Sequence, residues 1–292
     1  MQGGLREGLG YLRWIYAPVR RPSVADIYEL IATDALSRDG LYLNLGYWRA
    51  ADDIDAACRA LVELLGKAAV LGPADRVVDV GFGFGDQDIH WMRAFQPRAI
   101  VGLNITRSQV REARRRVAEE GLDGRIELLQ ASATEMPLPD GGFDKVLALE
   151  CAFHFDTRAR FLAEARRVLR PGGRVAVGDI IRAPMAASAR GRAWQDWSWH
   201  MAARTWGIPR ANAETRASYR KTLLDAGFTN VRIESIRDAV FAPLHRHLAA
   251  HPELVRRVHP LARGPLQLAL QAEPETLYAA LDYVLVTADT PA

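Results

Sequence analysis

Residues 76–85, RVVDVGFGFG, decide the fold of this chain. The first half reads as a buried strand, with Asp79 as the one acid in an apolar run. The second half places Gly81, Gly83 and Gly85 where the strand must turn into the helical pattern that follows. Glycine allows the backbone to pass close to a ligand, and the start of a helix presents unpaired N–H groups. The spacing is G-x-G-x-G, which differs from the G-x-G-x-x-G that seats a pyrophosphate on a helix N-terminus. A dinucleotide is therefore not the ligand this turn predicts.

The strand–helix rhythm continues downstream. AIVGLNI (residues 99–105) predicts a second strand, and SQVREARRRVAEEG a helix ended by Gly121. RIELLQA predicts a third strand, and FDKVLAL a fourth. RARFLAEARRVLRPGG predicts a helix stopped by Pro171 and Gly172, and RVAVGDII a fifth strand. Alternation of this kind means right-handed crossovers and a parallel sheet covered on both faces. NVRIESIRDAV and LDYVLVTA complete the expected fold class, α/β: a Rossmann-like, doubly wound, mostly parallel seven-stranded sheet with helical cap segments. One domain is expected over residues 1–292. Residues 1–70 form a helical cap on the carboxyl edge of the sheet, and residues 71–182 the ligand-binding core. Residues 183–213 form a Trp-rich insertion, and residues 214–292 the end of the sheet with a two-helix insertion at 242–276.

Composition narrows the function. The 292 residues are 49% hydrophobic and 25% charged, enough apolar material for one full core. Lys and Arg number 38 against 35 Asp and Glu, a net charge of +3, so no nucleic-acid partner follows. Cys58 and Cys151 are too few for a disulfide framework or a cysteine zinc site. The first residues carry charge throughout and lack a signal peptide's apolar core of roughly 7–15 residues. No run approaches the roughly 18 apolar residues of a membrane span. A cytoplasmic enzyme without stable membrane insertion is expected, with an N-terminal segment long enough to mediate a homodimer.

Taken with its neighbours, VVDVGFGFGDQD resembles the first motif of the class I S-adenosylmethionine-dependent methyltransferases. IVGLNI, FDKVLALECAFHF and RFLAEARRVLRPGGRVAVGD resemble that family's second strand, fourth strand, and helix–turn–fifth strand, in the same order and spacing. The resemblance covers about residues 76–180. LYLNLGYW (residues 41–48) is similar to a segment of the natural-product and lipid-modifying branch, near the sugar O-methyltransferases and cyclopropane synthases. It implies that S-adenosyl-L-methionine is the cofactor and S-adenosyl-L-homocysteine the product. Gly81, Gly83 and Gly85 would cradle it, with Asp79 at its ammonium group. Asn104 and Gln109 would lie along the ribose and adenine and Ser132 and Ala133 beside the base, with Ile105 and Leu149 also among the cofactor-binding residues. The chain departs from the family at Asn104, where many members have an acid for the ribose hydroxyls. It departs again at Ala131-Ser132-Ala133, where many place an Asp near the adenine amine.

Methyl transfer is an in-line displacement, so the protein chiefly aligns nucleophile and methyl and, for a hydroxyl, removes a proton. Ligands of open α/β sheets bind at the carboxyl ends of the strands. His154, five residues past strand four, and Asp179, at the end of strand five, fall there. The resemblance to sugar O-methyltransferases makes them the expected catalytic pair, with Glu150 only lining the methionine end. Trp194, Trp197, Trp199 and Trp206 crowd into thirteen residues. Trp194, Trp197 and His200, with Tyr42, Tyr47 and Trp48, are expected to enclose a hydrophobic small-molecule acceptor. His245, His247, His251 and His259 are interleaved with arginines and read as a solvated basic helix, so no metal is expected. Residues 11–16, YLRWIY, followed by Arg20 and Arg21, read as a packing helix or a dimer arm, with contact to a membrane surface or a lipid-like substrate as the alternative. The expected reaction is methylation of O, C or N of a small hydrophobic metabolite such as a natural product, lipid or terpenoid. Alkene methylation and a catalytically silent methyltransferase fold serving as a binding or scaffold protein remain the competing readings.

Overall fold

In the computed structural model, residues 37–292 are described. The sheet grows around RVVDV. Strand β1 (Arg76–Val80) is buried from its second residue on, and it lies between β2 (Ala99–Asn104) and β4 (Phe143–Leu149), parallel to both. A strand in this position is buried on both faces, which is why it reads as an apolar run and not as an alternation. Strand β3 (Ile126–Gln130) flanks β2, and β5 (Leu169–Arg182) flanks β4. The last two strands, β6 (Thr229–Ser235) and β7 (Leu281–Asp289), close the sheet in the order β3-β2-β1-β4-β5-β7-β6. Only β7 runs antiparallel to its neighbours. The order reverses between β2 and β4 at β1, so the glycine turn opens at the switch point where such sheets hold ligands.

Helices cover the sheet as the alternation requires. They are α1 (Ile54–Ala69), α2 (Asp86–Ala94), α3 (Arg107–Glu119), α4 (Arg158–Val168), α5 (Ala189–Thr205) and α6 (Arg216–Asp225). Asp53 starts α1 by accepting the Ala56 N–H at 2.7 Å, and Lys67 stands in its last turn, opposite the partial charges of the helix ends. Leu61, Val62 and Leu65 bury the inner face of α1 against the core.

Three expectations need correction. Residues 41–48 are not helical but form an extended strap across the carboxyl ends of the strands. Its backbone is tied there, Leu41 N to Asp86 Oδ1 at 3.3 Å, Leu45 N to Glu150 Oε1 at 2.8 Å and Trp48 N to Ala239 O at 2.8 Å. The insertion between β6 and β7 is four short helices: α7 (Phe241–Ala250), α8 (Pro252–Val255), α9 (Pro260–Ala269) and α10 (Pro274–Leu277). Proline opens three of them, at the one place where its missing N–H is harmless. Strand β5 starts at Leu169, inside the sequence expected for a helix, because Phe143 pairs with Leu169 before the glycines. Residues 11–21 lie outside the described residues.

Candidate active site

The glycine turn borders a cavity of about 240 Å³ at the carboxyl ends of β1, β2 and β4. All three glycines have positive φ: Gly81 +75°, Gly83 +56° and Gly85 +83°. They differ in what a side chain would meet. A Cβ on Gly81 would stand 2.6 Å from Cys151 Cβ, so that glycine serves protein packing. A Cβ on Gly83 would meet only the Leu43 side chain, at 3.4 Å, and would otherwise occupy the cavity. Gly83 is the glycine that keeps space for a ligand.

Around the turn, Asp79 and Asp88 are fully buried, and neither lines the cavity. Asp79 Oδ2 accepts from Gln87 Nε2 at 2.6 Å, and Gln87 lines the cavity. Burial holds both carboxyl groups above the usual carboxylate range. At the nucleoside end, Asn104, Ile105, Gln109, Ser132 and Ala133 all line the cavity, as does Leu149 below. Asn104 is occupied by its own turn: its Nδ2 donates to Gln109 Oε1 at 2.9 Å, and its Oδ1 accepts the Thr106 N–H at 3.0 Å. Gln109 is thereby fixed with its Nε2 buried and, among the described residues, unpartnered. Ser132 Oγ is held by Thr134, at 2.9 Å from Thr134 Oγ1 and 3.2 Å from its N–H. A buried amide donor left over for a ligand, and a glycine edge whose Cβ position faces the cavity, suit an adenosine bearing an amino-acid tail. The residues present fit S-adenosylmethionine.

The expected pairing of His154 with Asp179 is not what the structure holds. Asp179 is fully buried and spent on Arg158, which donates through Nε at 2.7 Å and Nη2 at 3.3 Å. Asp179 does not line the cavity. Arg158, 1% exposed, also donates to the Asn212 and Ile180 carbonyls at 2.5 and 2.7 Å. Asn212 in turn donates to the Phe153 and Phe155 carbonyls at 3.1 and 2.7 Å, on either side of His154. Asp179 thus acts at a distance, as the counter-ion of an arginine that braces the His154 turn. Replacing Asp179 with alanine would strand that guanidinium in the core. The expected loss is about 3–5 kcal/mol of folding free energy, read by denaturant unfolding. A variant as stable as the parent would mean that the pair holds nothing together.

His154 does line the cavity, next to Phe155. Burial pushes its imidazole down to about 4, with Arg158 acting in the same direction and the backbone of Gly207 opposing. Glu150, expected only as lining, is the group the sequence reading undervalued. It lines the cavity, and its Oε1 accepts from the Leu45 N–H at 2.8 Å and the Tyr283 hydroxyl at 2.9 Å. Burial raises its carboxyl to about 7. Its φ is +52°, a left-handed conformation costing a non-glycine residue on the order of 1–3 kcal/mol, kept where other contacts hold it. The available signal was positional: an acid directly after a buried strand, at the end where ligands sit.

The acceptor-enclosing set is mostly elsewhere. Tyr42 lines the cavity. Trp48 instead donates Nε1–H to Leu45 O at 2.9 Å and packs its ring on His247, 4.7 Å between centroids. Tyr47 packs against the main core. Trp194 and Trp197, three apart on α5, stack on each other at 4.9 Å and stay 41% and 55% exposed. The inward face of that helix carries Trp199, with the Arg182 guanidinium 5.8 Å from its ring centre. His200 is exposed and turns back to Asp196 O at 2.6 Å. Nor is the histidine segment a solvated helix. His245 is 3% exposed, with Nδ1 3.4 Å from the Tyr278 hydroxyl, and His247 stacks on His251 at 4.2 Å. Among the described residues no group of three His, Cys, Asp or Glu could hold a metal ion, and no helix is long and apolar enough to cross a membrane.

Comparison with known proteins places this geometry. The model of a family described as "methyltransferase domain" matches residues 78–177. The chain is 35% identical over 246 residues to an erythromycin 3''-O-methyltransferase from Saccharopolyspora erythraea, covering 83% of this chain and 80% of that protein. It is 36% identical over 152 residues to a 27-O-demethylrifamycin SV methyltransferase from Amycolatopsis mediterranei, covering 51% and 54%. Among solved structures, a geranyl diphosphate C-methyltransferase from Streptomyces coelicolor superposes with a TM-score of 0.67 at 19% identity, over 93% of this chain and 99% of that one.

Proposed function

The chain belongs to the S-adenosylmethionine-dependent methyltransferases, and from that premise we propose that it methylates a hydroxyl group on a bulky, largely apolar natural product. One relative is named an erythromycin 3''-O-methyltransferase and another a 27-O-demethylrifamycin SV methyltransferase, which supports an oxygen acceptor on a natural product. The single observation that carries the oxygen assignment is the cavity wall: His154 and Glu150 both face the space, and each is able to receive a proton. An acceptor hydroxyl must lose a proton as it gains a methyl group, and a proton acceptor in the cavity wall meets that need.

S-adenosylmethionine, when bound, supplies a methyl group already activated on a sulfonium. The protein's part is placement, exclusion of water and proton removal. We assign Asp79 to the ammonium end, the backbone at Gly81 and Gly83 to the cradle, with Gly85 outside the cavity lining as the residue that starts α2, and Gln109 Nε2 to a ribose hydroxyl, with Asn104 orienting it. Ile105, Ser132, Ala133 and Leu149 then wall the nucleoside. The strap at residues 41–48 covers the methyl end through Tyr42 and excludes water, which strengthens each polar contact inside. His154 receives the acceptor's proton at its imidazole. Its low pKa keeps the ring neutral, and therefore able to accept, across the whole physiological range. Glu150 holds the strap shut through the Leu45 N–H.

The test is a panel assay with isotopically methyl-labelled S-adenosylmethionine and hydroxylated macrolides, their glycosides, and matched amines. Label entering an ether-forming position on an alcohol is expected. Label appearing only on amines would overturn the oxygen assignment.

A further inference from the structure

His154 ends a single 3-10 turn, Ala152–His154, between β4 and α4. Turns of this kind have poor hydrogen-bond geometry and hold their shape weakly on their own. The backbone here supplies two bonds, His154 N to Cys151 O at 3.0 Å and Phe155 N to Ala152 O at 3.2 Å. Neither uses the carbonyls of Phe153 and Phe155, which need donors of their own. One side chain serves both. Asn212 donates Nδ2 to Phe153 O at 3.1 Å and to Phe155 O at 2.7 Å, across 59 and 57 positions of chain. Those two carbonyls bracket the φ and ψ of His154 and Phe155, so one planar amide fixes the path of the backbone through the histidine. Asn212 closes another 3-10 turn, Arg210–Asn212, between α5 and α6, and it is fully buried. Its amide is held in one orientation. Oδ1 accepts the Arg158 N–H at 3.0 Å, and a flipped amide would set its oxygen against the two carbonyls. Its own carbonyl accepts Arg158 Nη1 at 2.5 Å, and its N–H donates to Pro209 O at 2.9 Å. Every polar group of Asn212 is thus engaged.

We propose that Asn212 is a positioning residue for methyl transfer, whose amide sets the backbone on both sides of His154 and thereby the place of its imidazole in the cavity wall. This rests on the reading of His154 as the group that receives the acceptor's proton. Proton transfer needs the ring within about 2.6–3.2 Å of the acceptor hydroxyl. A misplacement of about 1 Å, caused far from the reacting atoms, can lower a rate by about 10²-fold. A turn tied at Phe153 and Phe155 to one rigid group resists such a shift. Asn212 does not line the cavity, so its effect on the reaction passes through the histidine turn. The Arg158–Asp179 pair reaches that turn through the same amide, since Arg158 gives its side-chain hydrogen bonds to Asp179, Ile180 and Asn212.

Asn212→Ser keeps a small polar group that cannot span both carbonyls. In the full chain, turnover of the hydroxylated macrolide that the labelling panel converts fastest should fall by about 10–100-fold, with S-adenosylhomocysteine affinity within about twofold of the parent. Two further readouts would not follow from lost stability alone. Added to His154→Ala, Asn212→Ser should lower turnover by less than about twofold, because the group it places is already gone. With isotopically labelled imidazole nitrogens, the ring signal of His154 is assigned by its loss in His154→Ala. That signal should shift or broaden in Asn212→Ser, while those of the other histidines stay in place. An unmoved His154 signal, unchanged turnover, or a fully additive loss in the double variant would overturn the proposal. So would failure of both Asn212→Ser and Asn212→Asp to fold, since the amide would then serve the fold and not the histidine. Failure of the underlying reading has a different signature: His154→Ala would keep near-full turnover while Asn212→Ser still moves the His154 signal.

Discussion

Gly83→Val is expected to give a folded protein that no longer binds S-adenosylhomocysteine in a calorimeter, with affinity lower by at least about 100-fold, or roughly 2.7 kcal/mol. The choice of glycine matters. Valine at position 81 would drive into Cys151, and its failure would report on packing. At Gly83 an added Cβ meets only Leu43 among the described residues, so the space the side chain takes is the ligand's. A β-branched residue at φ +56° carries strain of about 1–3 kcal/mol, which a domain of this size survives. Circular dichroism and a thermal melt separate that cost from the loss of binding. Unchanged affinity in a folded Gly83→Val protein would remove the glycine turn from the cofactor site.

The parallel sheet and its glycine turn were legible in the sequence because both are written locally. A strand buried on two faces must be apolar along its whole length, and a turn that runs close to a ligand must use glycine. Hence 76–85 located the cavity before any coordinates, and Gly81, Gly83, Gln109 and His154 all border it. The failures share one cause: they depend on which partner a side chain finds at long range. Asp179 and His154 stand at neighbouring strand ends, yet Arg158, four residues beyond His154, takes both carboxylate oxygens. Trp194 and Trp197 have the composition of a pocket wall, but their helix turns Trp199 inward and leaves them on the outer face. Spacing along a helix fixes which residues share a face and leaves open which face meets the sheet. Glu150 was undervalued because its meaning comes from burial and from Tyr283, 133 positions away.

His154→Ala should lower turnover by about 10²–10⁴-fold while S-adenosylhomocysteine affinity stays nearly unchanged. The size follows from losing the group that takes the acceptor's proton, and the unchanged affinity from the assignment of the cofactor to Gly83 and Gln109 and not to His154. The pH profile carries the sharper argument. A histidine at its ordinary pKa would give an acid limb near neutrality. Burial pushes His154 down to about 4, so it is already neutral and competent above about pH 5 and adds no limb there. The limb near pH 7 belongs to Glu150, whose carboxyl burial raises to about 7. Protonating it weakens its hold on the Leu45 N–H and so on the strap, and activity should fall as pH drops through that value. Sign and position together separate the two residues. In His154→Ala the remaining activity should keep the limb near 7, because Glu150 is untouched, while the whole curve sits lower. In Glu150→Gln the limb near 7 should vanish, because the amide cannot titrate, and its rate should be nearly flat from about pH 5 to 8. The opposite pattern would transfer the proton acceptor from His154 to Glu150: His154→Ala near full turnover, and Glu150→Gln losing turnover and the limb together. In that case the histidine only walls the cavity, and the carboxylate at the end of β4 would be the base.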